Sequence, residues 1–220
     1  MSQSHKLYAI YSKLFTFFGA QKWWPADSAF EVMLGAILTQ NTSWLNVEKA
    51  IANLKKQRLL DPRRMDKIPL VKLAKLIRPA GYYNVKAKRI KYFLKFLSDY
   101  CRMNIAEMPK KDILVLRQDL LKVNGIGQET ADSILLYALN KPVFVVDAYT
   151  KRILARHKLA KDGSTYTDIQ EIFMRNLKRD VKLFNEYHAL LVRLGKDYCL
   201  KNKPRCSLCP LSEFLRRKND

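Results

Sequence analysis

The chain has 220 residues, of which 48% are apolar, and this apolar content excludes an intrinsically disordered protein. It carries 41 Lys and Arg against 20 Asp and Glu, so its net charge is +21 and its isoelectric point is about 9.9. Proteins this basic usually bind a polyanion, most often nucleic acid. Seven glycines and eight prolines, beside many Leu, Ile, Lys and Ala, favour an all-α fold.

No apolar run is long enough to cross a bilayer, and Lys13 interrupts the N-terminal stretch that would otherwise resemble a signal sequence. We therefore expect a cytoplasmic, monomeric protein that works on the nucleoid and does not bind membranes. The four cysteines are expected to remain unpaired in that reducing compartment.

The N-terminal third predicts three helices. The first has an apolar face that ends at Gly19 and comprises Leu7, Ile10, Tyr11, Leu14, Phe17 and Phe18. After Trp23-Trp24-Pro25, Ser28 and Glu31 have the spacing of a capping box for an almost wholly apolar, buried helix that runs through Leu38. The third helix has an apolar face formed by Trp44, Val47, Ile51 and Leu54.

The middle of the chain predicts a short helix from Ile68 to Ile77 and a longer one after Gly81. The longer helix has an apolar face formed by Ala87, Ile90, Leu94, Leu97 and Cys101, which makes Cys101 a core residue. Basic residues occupy its other faces, namely Lys86, Lys88, Arg89, Lys91 and Lys95. They form either a solvated surface or phosphate contacts, and the sequence leaves both open.

The stretch 120–154 organises the rest of the chain. It predicts the end of a helix, a tight turn at Gly125-Ile126-Gly127, a helix over about 128–140 and another that begins at Asp147. The two glycines give the turn backbone freedom, and amide groups at a helix N-terminus suit an anion such as phosphate. A helix–helix turn that binds nothing is the simpler alternative.

Three helices are expected in the C-terminal part. The first covers about 147–158, the second begins with a capping box between Thr167 and Gln170, and the last covers 181–194 and ends at Gly195.

Several of these segments resemble, in order, the motifs of the endonuclease III superfamily of DNA glycosylases, which is marked by a helix-hairpin-helix motif. The hairpin is V-N-G-I-G-Q-E-T-A at 123–131, followed by Pro142 and by V-V-D-A-Y at 145–149. The segments G-Y-Y-N-V-K-A at 81–87 and L-T-Q-N-T at 38–42 are similar to the same family. The resemblance extends over most of the chain.

This resemblance implies an all-α fold with two lobes and a DNA-binding cleft between them. One lobe would cover 25–141, with the hairpin at about 113–140. The other would join 1–24 to 142–220 and include the cysteine loop 199–209. The implied activity is that of a base-excision-repair enzyme, which binds double-stranded DNA with a damaged base and cleaves the N-glycosidic bond of that base.

The resemblance also implies roles for single residues. Asp147, which the local pattern explains as an N-cap, would face the sugar of a flipped-out nucleotide. A fixed carboxylate there stabilises the positive charge that builds on the sugar and orients a water molecule. Gln40 would fill the gap left by the extruded base, although its side chain also suits a helix cap. The hairpin would bind DNA phosphate through Val123, Gly125, Gly127 and Gln128.

The chain departs from its best-known relatives at Glu129. Bifunctional members of the superfamily carry a lysine at this place, in G-x-G-x-K-T-A. A carboxylate cannot form the Schiff base that leads to strand cleavage, and its charge suits the first turn of a helix. This difference favours a monofunctional glycosylase that uses water. Lys122 and Lys151 are the neighbouring amines that could replace the missing lysine.

The three tryptophans of the chain flank the segment that carries Gln40, and they are Trp23, Trp24 and Trp44. Core packing is one interpretation. A stacking pocket for the extruded base, to which Glu129 would contribute, is the other. An alkylated purine carries positive charge on its ring, and an indole face attracts cations. Together with the motifs, the tryptophans make the resemblance closest to the 3-methyladenine, or alkylpurine, branch.

Three C-terminal cysteines resemble the first ligands of the superfamily's iron–sulfur loop, C-x6-C-x2-C-x5-C, and they are Cys199, Cys206 and Cys209. The fourth place is Leu215, so we expect no stable [4Fe-4S] cluster and no other cofactor. A three-cysteine cluster with an outside ligand, or zinc bound together with His188, are the alternatives. The loop also carries residues that can contact phosphates without a metal, namely Lys201, Lys203 and Arg205.

The sequence thus predicts a monofunctional DNA glycosylase for alkylated purines. An endonuclease III-like enzyme with lyase activity through another lysine is the nearest alternative. A non-catalytic DNA-binding hairpin protein is the alternative from another class, and the presence of Asp147 at the matching place disfavours it.

Overall fold

The computed structural model describes residues 2–215, and every regular element among them is helical, which confirms the all-α prediction. The α-helices in chain order are α1 (Gln3–Phe18), α2 (Ala29–Leu38), α3 (Trp44–Lys56), α4 (Pro62–Lys67), α5 (Leu70–Leu76), α6 (Tyr83–Cys101), α7 (Ile113–Leu121), α8 (Gln128–Ser133), α9 (Ala148–Arg156), α10 (Tyr166–Asn176) and α11 (Val181–Asp197). Short 3₁₀ turns lie at Arg78–Ala80, Ile105–Lys110, Cys206–Leu208 and Ser212–Phe214.

The chain divides into two compact units. The first is Trp24–Lys141 and contains α2 to α8. The second is made of the described parts of Met1–Trp23 and Pro142–Asp220 and contains α1 and α9 to α11. Residues 216–220, the end of the predicted second lobe, lie outside the described residues. The predicted cleft stays a prediction. No helix in the described part of the chain is long and apolar enough to span a membrane.

Helix α2 is buried on all sides, because every residue from Phe30 to Leu38 is buried. Ser28 caps it as predicted, with its Oγ accepting a hydrogen bond from the backbone N–H of Glu31 at 3.2 Å. The other half of the predicted capping box, in which the Glu31 side chain would accept from the N–H of Ser28, is wrong. The Glu31 carboxylate accepts instead from the N–H of Asp27 at 3.0 Å and pairs with Lys55 at 2.8 Å.

Helix α6 has the predicted apolar face, and Cys101 is buried at its end. The prediction that Lys86 lies on a solvated or phosphate-binding face is wrong. Its side chain is 1% exposed, and Nζ donates to the carbonyl oxygens of Leu38 at 2.8 Å and Ala80 at 2.7 Å. These carbonyls end α2 and the turn Arg78–Ala80. Lys86 therefore joins three elements inside the first unit, whereas Lys88 is exposed.

The helix predicted over 128–140 changes form half-way. Helix α8 is regular to Ser133 and widens into a π-helical turn over Ile134–Ala138. The N–H of Leu139 donates to the carbonyl of Ile134, five residues back, at 3.1 Å. Within this turn Tyr137 packs against Trp24, with ring centroids 5.2 Å apart. The apolar spacing of the segment is that of a regular α-helix, so periodicity did not reveal the change.

The second unit is built around an aromatic core. Phe144 stacks on Phe173, with centroids 3.7 Å apart and the rings 6° from parallel. It also meets Phe184 and Tyr187 edge-on, at 5.5 Å and 6.0 Å. Phe144 lies in the segment that leads to Asp147, so this packing fixes the entry to α9.

Two boundary predictions in the second unit are wrong. The capping box of α10 joins Thr165 and Asp168, two residues before the predicted pair. Gly195 does not end α11, which continues to Asp197. A Cβ at Gly195 would lie 2.4 Å from Cδ1 of Tyr149, so the glycine is needed for close packing of α9 on α11.

Candidate functional site

Asp147 is the N-cap of α9, as predicted. Its Oδ1 accepts a hydrogen bond from the N–H of Thr150 at 2.7 Å, which fixes the side chain in one orientation. Its Oδ2 lies 3.8 Å from Nε2 of His188, and the Asp147 side chain is 12% exposed. The carboxylate is thus held at a helix start while part of it remains accessible.

His188 lies near Asp147, although the sequence analysis named it only as a possible zinc ligand. It is buried in α11, and burial lowers the pKa of its imidazole, although the Asp147 carboxylate opposes that shift. The ring is therefore neutral at neutral pH. The alternative of zinc bound by His188 and the cysteines is not supported, because no group of three metal-binding side chains occurs in residues 2–215.

The segment before Asp147 is held by two side chains of α10. Gln170 donates from Nε2 to the carbonyl of Phe144 at 2.7 Å, and the N–H of Val146 donates to the Tyr166 hydroxyl at 3.4 Å. From the sequence we predicted that Gln170 belongs to a capping box. Its local pattern gives no sign of a partner 26 residues away. These bonds restrict the backbone that carries Asp147.

In the first unit, α7 and α8 form the predicted hairpin. A bidentate ion pair joins them: Arg117 donates from Nε and Nη2 to the two carboxylate oxygens of Asp132, at 2.6 Å and 3.0 Å. The Asp132 side chain is fully buried. Planar, two-point pairing of this kind adds geometric specificity to its energy.

The two hairpin glycines have different roles. Gly125 has a φ of +90°, and a Cβ there would lie 2.3 Å from Cγ of Arg89, so both its backbone and its neighbour require glycine. Gly127 has an ordinary φ of −92°, and a Cβ there would meet nothing within 4 Å. Of the other predicted phosphate-binding residues, Val123 is buried and Gln128 is half-buried.

Gln40 lies against this hairpin. Its Nε2 donates to the carbonyl of Gly125 at 3.0 Å and to Oγ1 of Thr130 at 2.9 Å. Its Oε1 accepts from Nη1 of Arg89. Gln40 does not act as a helix cap, and its proposed insertion into DNA stays a prediction.

Two of the three tryptophans come together. Trp24 and Trp44 meet edge-on, with centroids 4.9 Å apart and the rings at 89°. They line a cavity of about 270 Å³. The residues that line it also include Glu31, Glu48 and Lys55.

The third tryptophan, Trp23, belongs to the second unit, where Lys196 Nζ lies 5.9 Å from its ring centroid. The sequence pattern therefore did not distinguish the paired tryptophans from Trp23.

Glu129 is exposed in the first turn of α8. Of the two neighbouring lysines, Lys122 is exposed and pairs with Asp119 at 2.7 Å. Lys151 is exposed one turn after Asp147, with its Nζ 5.9 Å from the ring centroid of Tyr166.

The cysteine loop is held by an arginine. Arg156 donates from Nη1 to Sγ of Cys199 at 3.2 Å and to the carbonyl of Leu200 at 2.6 Å. Cys209 is buried, whereas Cys206 is exposed. A cubane cluster needs four thiolates, and three thiols with a guanidinium on one of them do not fit such a cluster. Three basic residues of the loop are exposed, namely Lys201, Lys203 and Arg205.

A family model described as "HhH-GPD superfamily base excision DNA repair protein" matches residues 34–179, which include the hairpin and Asp147. The chain belongs to this superfamily. It is therefore a base-excision-repair DNA glycosylase, an enzyme that cleaves N-glycosidic bonds, as the motifs predicted.

Relatives of this HhH-GPD glycosylase cover nearly its whole length. It is 50% identical over 214 residues to "Putative DNA repair glycosylase MJ1434" of Methanocaldococcus jannaschii, and the match covers 96% of each chain. It is 28% identical over 190 residues to endonuclease III of Sulfolobus acidocaldarius, covering 86% of this chain and 82% of the relative.

Among solved structures, the chain is similar to H. pylori 3-methyladenine DNA glycosylase (MagIII) bound to 1,N6-ethenoadenine. The TM-score is 0.75 at 28% identity, and the match covers 89% of this chain and 98% of that one. These similarities confirm the superfamily that the motifs predicted.

Proposed function

We propose that this HhH-GPD glycosylase is monofunctional and releases alkylated purines from duplex DNA by attack of water. The observation that carries the proposal is the first turn of α8, where Glu129 replaces the lysine of bifunctional relatives. Without an amine at that place, water attacks the sugar carbon and the DNA strand stays intact.

Asp147 is the catalytic residue in this proposal. When the bond from sugar carbon to base breaks, its electron pair leaves with the base and positive charge builds on the sugar. The carboxylate, held by the N–H of Thr150, stabilises that charge. Water then bonds to the sugar carbon, and Asp147 accepts its proton. An alkylated purine that carries a positive charge leaves as a neutral base, which lowers the demand for acid catalysis.

The cavity beside Trp24 and Trp44 supports an alkylated purine as the substrate. Its volume of about 270 Å³ lies near the lower end of ligand pockets, which run from roughly 300 Å³ upwards. Two acidic residues and one lysine line it, so acidic side chains outnumber basic ones beside the indole rings. That combination favours a flat cation over a neutral base. MagIII, with which the chain shares 28% of its residues, is named for 3-methyladenine. Glu129 is the further residue of the proposed pocket.

DNA backbone is bound by the hairpin and by the cysteine loop in this proposal. At Gly127 the space that a side chain would occupy is open, so a phosphate can approach the amides of the turn. Val123, Gly125 and Gln128 complete that contact. The exposed side chains of Lys201, Lys203 and Arg205 provide a second one without a metal. Gln40 fills the gap that the extruded base leaves in the duplex.

The proposal is tested with a panel of duplexes that carry 3-methyladenine, 1,N6-ethenoadenine, hypoxanthine, uracil or thymine glycol. Release of the base is measured with and without alkali, and borohydride is added in parallel to trap any covalent adduct. We expect release of the alkylated purines, strand breaks only after alkali, and no trapping. Trp44→Leu should reduce release of the alkylated purines. Trp23→Leu, at a tryptophan that does not line this cavity, serves as the matched comparison.

An endonuclease III-like mechanism is the second candidate, and Lys151 is the observation that favours it. This exposed lysine follows Asp147 by four residues on the same helix, so an amine is available close to the carboxylate in the chain. Efficient trapping by the wild-type protein that is lost in Lys151→Gln would establish this mechanism instead. Duplex binding without release of any base would favour the non-catalytic alternative.

A further inference from the structure

The carboxamide of Gln40 is fully engaged in the described structure. Both N–H groups are donated to the hairpin, to the carbonyl of Gly125 and the hydroxyl of Thr130, and the oxygen accepts from the guanidinium of Arg89. A surface glutamine ordinarily samples many rotamers, and fixing one costs side-chain entropy. Three bonds on one carboxamide offset that cost and give Gln40 a single orientation.

Arg89 contributes more than its hydrogen bond. Its Cγ, Cδ and Nε lie on the Cα of Gly125, where a Cβ would be 2.3, 2.6 and 2.9 Å from them. The same side chain therefore packs on the hairpin turn and orients the residue that the turn binds. The turn therefore contacts Gln40 in two ways, directly through the carbonyl of Gly125 and indirectly through the arginine that lies on it.

The helix that carries Arg89 is itself anchored to the end of α2. Lys86, one helical turn earlier in α6, is buried and donates to the last carbonyl of α2 and to that of Ala80. Gln40 follows the end of α2 by two residues. Helix α6 thus fixes both the segment that carries Gln40, through Lys86, and the carboxamide itself, through Arg89.

We propose that Arg89 is a positioning residue for base extrusion, which sets the carboxamide of Gln40 relative to the hairpin turn so that docking of the DNA backbone also places Gln40 at the duplex. This inference rests on the proposed function, in which Gln40 fills the gap left by the base. A guanidinium suits the task because a charged donor bonds an amide oxygen more strongly than a neutral one. Its rigid fork also holds a fixed direction.

The test uses the full chain and compares Arg89→Leu with Lys88→Leu. Both changes remove one positive charge from α6, but Lys88 is exposed and lines a groove with Leu70 and Arg78. Each variant is assayed on one alkylated purine, placed in a paired duplex or in a bulge where the base is already unstacked. We expect Arg89→Leu to lower kcat on the paired duplex by on the order of tenfold, the effect of losing a hydrogen bond to a charged group. On the bulge it should match Lys88→Leu, because little extrusion is left to promote.

A double-mutant cycle tests whether Arg89 acts through Gln40. If it does, Arg89→Leu should have no further effect in a Gln40→Ala background, because the group that it orients is gone. Arg89→Lys keeps the charge and most of the packing on Gly125. It is the control for the possibility that Arg89→Leu acts by destabilising the fold. It should unfold like the wild type and still show the paired-duplex loss.

Additive effects in the cycle, or equal losses on paired and bulged substrates, would overturn the inference. A second readout is independent of catalysis. Fluorescence of 2-aminopurine next to an abasic analogue reports unstacking of the duplex, and it should rise less with Arg89→Leu than with Lys88→Leu. If the wild type released no alkylated base but the fluorescence difference persisted, the substrate proposal would fail while the role of Arg89 would stand. An equal rise in both variants would reject that role.

Discussion

Asp147 combines the structural position of a helix N-cap with the catalytic role that we propose for it. The bond from Thr150 N–H to Oδ1 at 2.7 Å is an ordinary helix cap, and it leaves Oδ2 to face the neutral imidazole of His188 at 3.8 Å. A carboxylate that is already oriented needs no reorganisation when charge develops on the sugar, and this is the main source of electrostatic catalysis.

Asp147→Asn should therefore separate the two roles. The amide oxygen can still accept from Thr150, so thermal unfolding and duplex affinity should stay close to wild type. Base release should fall by on the order of 10²- to 10³-fold, because only the charge is lost. Single-turnover release from a lesion duplex measures this. Turnover at the wild-type rate would remove Asp147 from the mechanism.

The two hairpin glycines give a matched pair of substitutions. Gly127→Val should leave stability unchanged, since the site is open and φ is −92°, and should weaken binding to all duplexes alike. Gly125→Ala should instead destabilise the protein by about 1 to 3 kcal/mol, because φ is +90° and Arg89 occupies the space. Denaturant unfolding and filter binding on both variants check this. A shift in lesion preference with Gly127→Val would assign that residue to the base pocket.

Among the elements, helix α6 differs most from the sequence-based expectation. Its apolar face was predictable from spacing, because burial follows the helical period. The buried lysine at its start was not. Lys86 fits the charged face of the same pattern, and only the carbonyls of Leu38 and Ala80, which come from other elements, explain why it points inward. The same holds for Gln170, whose partner at Phe144 is distant in sequence.

Lys86→Met should lower the free energy of unfolding by about 2 to 4 kcal/mol at pH 7, since two buried carbonyls lose their donor. Lys88→Met is the control and should change it by less than about 0.5 kcal/mol.

Burial lowers the pKa of Lys86 to about 8, below the usual value of 10.5. Between these pH values the unfolded chain keeps a proton that the folded one has released, so wild-type stability should rise with pH across that interval. Lys86→Met should lack this rise. Equal slopes in urea melts would contradict the assignment.

At the scale of the whole molecule, composition and motif order were sufficient to predict an all-helical DNA glycosylase. The net charge of +21 predicted the polyanion, and the hairpin, Pro142 and Asp147 predicted the superfamily. What the sequence could not supply was the set of contacts between distant segments, such as Trp24 on Tyr137 or Arg89 on Gly125. Such contacts depend on the packing of whole helices and leave no local periodicity.

The cysteine loop carries a prediction for the intact protein. Arg156 bonds Sγ of Cys199 and the loop backbone, so the loop has a protein partner where a cluster would otherwise order it. We expect protein purified without oxygen to be colourless and to lack stoichiometric iron. Visible absorption and iron analysis decide the matter, with a four-cysteine endonuclease III purified in parallel as the positive control. A broad visible band with several irons per chain would contradict the prediction.

The π-helical turn at Ile134–Ala138 has a consequence for how this protein could diverge. In the π-turn an N–H bonds the carbonyl five residues back instead of four, so the turn holds one residue more than a turn of α-helix. Side chains after the extra residue are rotated by about 100° relative to their positions in a regular helix. Tyr137 lies within this turn, where its ring packs on Trp24. Deleting a single residue here would restore a regular helix and bring a neighbouring side chain to the tryptophan. A change in chain length, with no substitution inside the cavity, would then alter the side chains beside Trp24, where we propose that the damaged base binds. Under that proposal, insertions and deletions in this turn are a route by which related chains can acquire new lesion preferences.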